Sequence, residues 1–266
     1  MDDVILEKLH SKLIEILDEI DRICRKYDIQ YFLDSGTAIG AIRHAGFIPW
    51  DDDADVGMLR EEYERFIKVA PGELSDKFFL QTRESDPGFE KFSAKLRLNG
   101  TYFPEERNEG VDINQGIFVD IFPFDYISDD KKQAVRDIKK TRRLIKMFAL
   151  RHRHPKNENP VKKCIRALFR IIPENIFEKK CINHFKKYNE TKTDTVVSYS
   201  YKMNNSHILL FNKADMYPSV DVAFYDRKYM IMNNYEAYLK TMYGNYMELP
   251  PENQRVWHIK GEIKFD

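Results

Sequence analysis

The sequence predicts a mixed α/β fold, one core of strands and helices interrupted by a basic helical insertion, and three observations carry that prediction. Short segments rich in aromatic and β-branched residues alternate with amphipathic stretches. The chain has 266 residues, 42% of them apolar and 32% charged, enough to close a sizeable core and far from a disordered or collagen-like composition. Its 43 basic and 43 acidic residues cancel, yet residues 131–187 hold 19 Lys and Arg against four Asp and Glu, so this stretch carries +15 and the remainder −15. We expect a single domain over 1–266 that contains the insertion at about 129–190.

Each element has its own signal. Ile5, Leu6, Leu9, Leu13, Leu17, Ile20, Cys24 and Tyr27 recur at spacings of three and four, which predicts one amphipathic helix over 3–27. Gln30 to Asp34 reads as a short strand. Thr37 to His44 reads as a short helix opened by Ser35-Gly36-Thr37 and closed by Gly46. A strand over Asp53–Met58 follows, then a helix over Arg60–Ala70 that stops before Pro71-Gly72. Further strands are expected at Phe78–Thr82, Phe92–Leu98 and Gly116–Phe122, each bounded by turn residues. The insertion reads as helices at roughly 129–150, 161–171 and 174–190. In the second of these, Val161, Cys164, Ile165, Leu168, Phe169 and Ile172 share one face, while Lys162, Lys163, Arg166 and Arg170 lie off it. A last helix spans Tyr235–Tyr243 and ends at Gly244.

Several classes are disfavoured at once. Cys24, Cys164 and Cys181 are sparse, odd in number and without a CxxC, so neither a disulfide framework nor a structural zinc is expected. MDDVILEKLH has no basic stretch followed by an apolar run, and nothing approaches 18 consecutive apolar residues, so a cytoplasmic protein is expected.

Chemistry concentrates in Asp34-Ser35-Gly36-Thr37 and in Trp50-Asp51-Asp52-Asp53-Ala54-Asp55. On a strand over 53–58, Asp53 and Asp55 project from one face, and two neighbouring carboxylates repel unless a cation lies between them. Their hard oxygens suit Mg²⁺ or Mn²⁺, which complete their shells with substrate phosphates. The small-residue turn at Ser35, Gly36 and Thr37 offers N–H groups and a helix N-terminus to a phosphate. Asp120 sits in the otherwise apolar run Gly116–Phe122, where an uncompensated charge is costly. Either the same cation or an Arg and backbone N–H groups would satisfy it. Lys95 and Arg97 alternate onto one strand face and could hold a diphosphate, or form a solvated face. A rival reading puts Asp51, Asp53, Asp55 and Glu62 at positions 1, 3, 5 and 12 of a calcium loop, but Val56 stands where that loop needs Gly.

The segment DSGTAIGAIRHAGFIPWDDDADVGM, with AKLR, GIFVDIFPFD and YLKTMYGNYMELPPENQRVWH, resembles the LicD family of bacterial phosphotransferases and, beyond it, the fukutin-type ribitol-phosphate transferases. The resemblance runs from about 30 to 126 and from about 235 to 258, and it implies a nucleotidyltransferase-like mixed sheet flanked by helices. It implies that Gly36 and Thr37 hold nucleotide phosphates, that Asp53, Asp55 and Asp120 bind the metal, and that Arg43 faces phosphate or braces the acidic loop. Asp51, Asp52, His44 and His258 are expected around that centre. The implied reaction is metal-dependent transfer of a phospho-alcohol, phosphocholine or a phospho-alditol, from a CDP-alcohol to a hydroxyl of a cell-surface glycan precursor. The alternatives are nucleotidylyl transfer from an NTP and a non-enzymatic calcium-binding or basic adaptor protein. For the insertion, a solvated face packed on the acidic core competes with peripheral contact to the inner face of a membrane, where a lipid-linked acceptor would lie. Nucleic acid is not an expected partner, since no recognition module accompanies the charge.

Overall fold

The computed structural model describes residues 3–105, 108, 110–152, 161, 164, 167, 168, 171, 173–201, 208–255, 257, 259 and 261–266. Helix α1 (Asp3–Lys26) buries Leu6, Leu9, Leu13, Ile16, Leu17, Ile20, Ile23 and Cys24 on the stripe that its spacing predicts. Each such Leu or Ile contributes roughly 1.5–3 kcal/mol when fully withdrawn from water. Ile5, one turn too early, stays exposed.

Five strands form the main path of a seven-stranded sheet: β1 (Phe32–Leu33), β2 (Asp55–Leu59), β3 (Phe78–Gln81), β4 (Ala94–Leu98) and β5 (Phe118–Ile127). Their order is β1-β2-β5-β4-β3, with β2 and β5 parallel and the other pairs antiparallel. This is a mixed α/β sheet flanked by helices, as expected. Helix α2 (Ser35–His44) connects β1 to the loop before β2 and packs on both strands. Helix α3 (Arg60–Val69) follows β2 and packs against it, and its last residues pass into a 3₁₀ turn over Ala70–Gly72.

Several boundaries depart from expectation, among them the helix expected over 174–190, which ends at Phe185. Helix α2 starts at Ser35, and Ala45, not Gly46, takes the left-handed position at its end, with φ +50°. Gly46 is small for a different reason, because the Tyr225 ring fills the space of a side chain there. Strand β2 begins at Asp55, so Asp53 belongs to the preceding loop and the alternation argument does not reach it. Strand β5 does not end at Phe122 but runs on to Ile127, with Pro123 opposite Met58 in the parallel ladder.

The chain divides into two compact units, 1–124 with 211–266, and 125–210. In the second unit, α4 (Lys131–His152) packs with α5 (Glu174–Phe185), which buries Phe177, Cys181 and Phe185. There β6 (Thr195–Val197) pairs antiparallel with residues 125–127. The first unit resumes with β7 (Phe211–Asn212), α6 (Lys213–Met216), the hairpin β8 (Val220–Phe224) and β9 (Arg227–Ile231), and α7 (Tyr235–Tyr243), which ends at Gly244 with φ +68°. None of the helices in the described residues is long and apolar enough to cross a membrane.

Candidate active site

A polar row crosses four strands of the sheet. Asp55 on β2 is the Cα partner of Asp120 on β5, Asp120 is the partner of Lys95 on β4, and Lys95 is the partner of Gln81 on β3. Residues directly opposite one another point to the same face, so this register gathers two carboxylates and an ammonium group on one side of the sheet. Lys95 lies 3.5 Å from Asp120, and Lys91, from the loop before β4, donates to the other carboxylate oxygen at 3.4 Å.

The acidic loop is fixed from three sides. His10 of α1 donates its Nε2–H to the Asp51 carbonyl at 2.7 Å and stacks on Phe47. The Ile259 N–H donates to the fully buried Asp52 carboxylate at 2.9 Å. The Asp120 N–H donates to the Ala54 carbonyl at 3.0 Å, tying the loop to β5. The carboxylates of Asp51, Asp52 and Asp53 offer oxygens that lie within 4.8 Å of one another. On the other side, the Asp51 carboxylate rests over Gly36, where a Cβ would come within 2.7 Å of its Oδ2. Gly36 is therefore required for the acidic loop to approach the start of α2.

That start is built with care for its hydrogen bonds. Asp34 caps α2 by accepting from the Ser35 N–H at 2.7 Å, and it also accepts from the Tyr238 hydroxyl of α7. Ser35 then adopts φ +48°, a left-handed conformation that costs a side-chain-bearing residue about 1–2 kcal/mol. Thr37 is buried, and its Oγ1 accepts from the Asp55 N–H at 2.9 Å, which locks α2 onto β2. The hydroxyl of Tyr243 bonds Ser35; burial first, then Asp34 and Asp55, push its pKa up.

The charges explain what the site can do. Burial pushes the Asp55 carboxyl well above the usual range, and the charges of Asp53, Asp120, Asp34 and Asp51 push it further. Burial acts the same way on Asp120, but Lys91, Lys95 and Arg97 outweigh it and hold that carboxyl low. A crowd of carboxylates beside the start of α2 has the donor chemistry of a Mg²⁺ or Mn²⁺ centre, because a cation removes the repulsion that Asp55 registers.

A family model described as LicD/FKTN/FKRP, nucleotidyltransferase domain, matches residues 28–164, which contain this whole arrangement except His10, Ile259 and the α7 tyrosines. Over 260 residues the chain is 30% identical to the lipopolysaccharide cholinephosphotransferase LicD of Haemophilus influenzae, with 93% of each chain covered. The chain belongs to the LicD family. It is also 27% identical over 99 residues to the ribitol 5-phosphate transferase FKRP of Mus musculus, covering 36% of this chain and 17% of the mouse protein. An uncharacterised protein of Rickettsia typhi shares 37% identity over 67 residues, 25% of this chain and 22% of its own.

Within this LicD-family chain the expected site residues separate into several groups. Among the described residues the carboxylates close enough to share an ion are those of Asp51, Asp52 and Asp53. Asp55 and Asp120 pair across β2 and β5. Ser35, Gly36 and Thr37 lie at the start of α2, with Gly36 against Asp51 and Thr37 bonded to Asp55. Arg43 is engaged elsewhere: its guanidinium donates to the carbonyls of Tyr246 at 2.7 Å and Glu248 at 3.3 Å, and to His44 Nε2 at 3.0 Å. It ties α2 to the segment after α7. His44 stands edge-on to Trp50, and burial and Arg43 both lower its pKa. Lys95 and Arg97 do share a face, yet both are wholly buried. Glu105 pairs with both at 3.1 Å, Arg97 also donates to Gln81 and the Gly116 carbonyl, and the Phe118 ring lies against the two cations. His258 lies outside the described residues. Glu62, the twelfth position of the calcium-loop reading, accepts instead from the Gln30 N–H and Arg65.

Sequence reasoning missed Lys91, Glu105, Tyr238 and Tyr243, and gave Asp34 no role of its own. Asp34 carried the one usable signal, an Asp directly before a small-residue helix start. Lys91 and Glu105 come from loops without periodicity and meet the site only through the sheet register.

Proposed function

We propose that this LicD-type phosphotransferase moves a phospho-alcohol from a CDP-activated donor to a hydroxyl group of a cell-surface glycan precursor. The observation that carries the reading is the Asp55–Asp120 pair together with the acidic loop whose Asp51 lies against Gly36, in a chain similar along nearly its whole length to a cholinephosphotransferase. In this reading the acceptor oxygen bonds to the donor's β-phosphorus, the phosphorus–oxygen bond to CMP breaks, and the acceptor proton leaves. Asp53, Asp55 and Asp120, with Asp51 and Asp52 behind them, are the residues that would hold Mg²⁺ or Mn²⁺. Such an ion, when bound, supplies neutralisation of charge on the donor's diphosphate.

The other roles fall to the chain's own groups. In this reading a phosphate is received at the start of α2 near Gly36, where the Asp51 carboxylate now rests. Lys91, only partly buried, is the cation of the row with access to a ligand, whereas Lys95 and Arg97 fix the charge of Asp120 from behind. Asp120, held ionised by these cations, suits charge binding better than proton abstraction, which needs a pKa near the working pH. We read residues 125–210 as an insertion in one catalytic chain.

The test is a thermal-shift series with CMP, CDP-choline, CDP-ribitol, CDP-glycerol and ATP, each with and without Mg²⁺, followed by turnover. A ligand at ~100 times its Kd stabilises by roughly 2.7 kcal/mol, so one CDP-alcohol should stand out and release CMP. Asp53→Asn and Asp55→Asn should each lower turnover by about 100-fold or more. Unchanged turnover in both variants, or no shift with any cytidine compound, would refute the reading. The nucleotidyltransferase description of the matching family favours a second reading, nucleotidylyl transfer, which predicts pyrophosphate release from an NTP.

A further inference from the structure

Among its described residues the second unit presents a group of exposed apolar side chains. Val161, Cys164, Ala167, Leu168 and Ile171 are helical and all exposed, with Val161, Leu168 and Ile171 at 64%, 65% and 75%. At about 100° per residue, positions 161, 164, 168 and 171 fall within roughly 80° of one another, a single stripe. Beyond Pro173 the pattern continues on α5. Its Phe177, Cys181 and Phe185 are buried, while Ile176 is 54% exposed. Ile176 shares a cavity of about 500 Å³ with Lys179, Lys180, Asn183, His184 and Lys187, of which Lys187 also pairs with Asp137.

An exposed apolar stripe among cations is the pattern of a helix that lies in a membrane interface. Nucleic acid would be drawn to the +15 charge of residues 131–187 but has no use for Leu168 or Ile171. A bilayer bearing anionic phospholipid satisfies both halves. We propose that residues 161–187 dock the protein on an anionic phospholipid surface, with Val161, Leu168 and Ile171 entering the headgroup–acyl boundary and Lys179 and Lys180 facing lipid phosphates. The proposal does not depend on which group the enzyme transfers.

The experiment is co-sedimentation of the full chain with vesicles of phosphatidylcholine alone or with phosphatidylglycerol added, at low and high salt. Binding to the anionic vesicles should be at least ~10-fold tighter, and salt should weaken it. Leu168→Asp with Ile171→Asp should lower that binding by about 10-fold, and Lys179→Glu with Lys180→Glu by several-fold, with Tm unchanged in both since all four positions are exposed. Equal binding to both vesicles, or undiminished binding by the Leu168/Ile171 variant, would overturn the proposal. So would a dimer in solution that the same variant dissolves, or retention on duplex DNA with no retention on anionic vesicles. CMP release by the variants is a separate readout, so this surface and the transfer reaction can fail independently.

Discussion

Glu105 touches two cations, Lys95 and Arg97, that are wholly shielded from water. Burial lowers the pKa of both and would raise that of Glu105, but the surrounding cations hold the carboxylate low. A buried cation pair stripped of its anion has no solvent to compensate it, so Glu105→Gln should destabilise the protein by about 3–5 kcal/mol in urea denaturation. A loss below about 1 kcal/mol would mean that Gln81, Gly116 and Asp120 suffice as partners. The same cluster shows what could be read in advance at this scale. Asp120 stood out because a carboxylate inside an apolar run demands a partner. Its partner Lys91 does not stand out in the sequence, and neither does Glu105, which pairs with Lys95 and Arg97, because both lie in irregular segments. Lys95 and Arg97 were noticed for their alternation, which is equally compatible with a ligand, solvent or a buried anion.

At the scale of elements, α2 depends on one capping residue more than on its own propensity. Asp34 accepts both the Ser35 N–H and the Tyr238 hydroxyl, so it joins the strand end, the helix start and α7. Asp34→Ala should cost about 2–4 kcal/mol, the sum of a lost cap and an orphaned buried hydroxyl. Tyr238→Phe, which leaves the cap intact, should cost distinctly less in the same measurement. Elements with strong periodicity, such as α1 and α7, were legible to within a residue or two. The β8–β9 hairpin was not, because its turn at Tyr225-Asp226 lacks the Asn-Gly or Asp-Gly pair that marks such turns, although Tyr225 adopts φ +53°. Pro123 concealed the length of β5, since proline ordinarily argues against a central strand.

For the whole molecule, the mixed α/β class was legible from the alternation of strand-like and amphipathic segments, while the boundary of the second unit was not. The unit ends near 210, well beyond the last basic helix, because β6 joins it through backbone pairing that leaves no charge signature. Global stability should also carry an acid limb. Glu73 accepts from Lys26, Tyr27 and Arg22, bonds that hold its pKa at about 2 against an ordinary 4.5. A carboxylate depressed in the folded state stabilises above its unfolded pKa, and that stability drains away as pH falls through the folded one. Tm should therefore fall between about pH 4.5 and 2, and Glu73→Gln should flatten that part of the curve. An identical acid limb in the variant would assign it to other carboxylates.

The first helix has one more consequence. The family match begins at residue 28, just after α1, as though the catalytic module could start there. Yet α1 contributes eight buried side chains to the core, and its His10 holds the carbonyl of Asp51. Similarity and foldability thus draw different borders: a truncated protein starting at residue 28 should be recovered as aggregate, its sheet left with an uncovered greasy face and its acidic loop untethered. Soluble, cooperatively melting material from that truncation would show that the helix is an accessory after all.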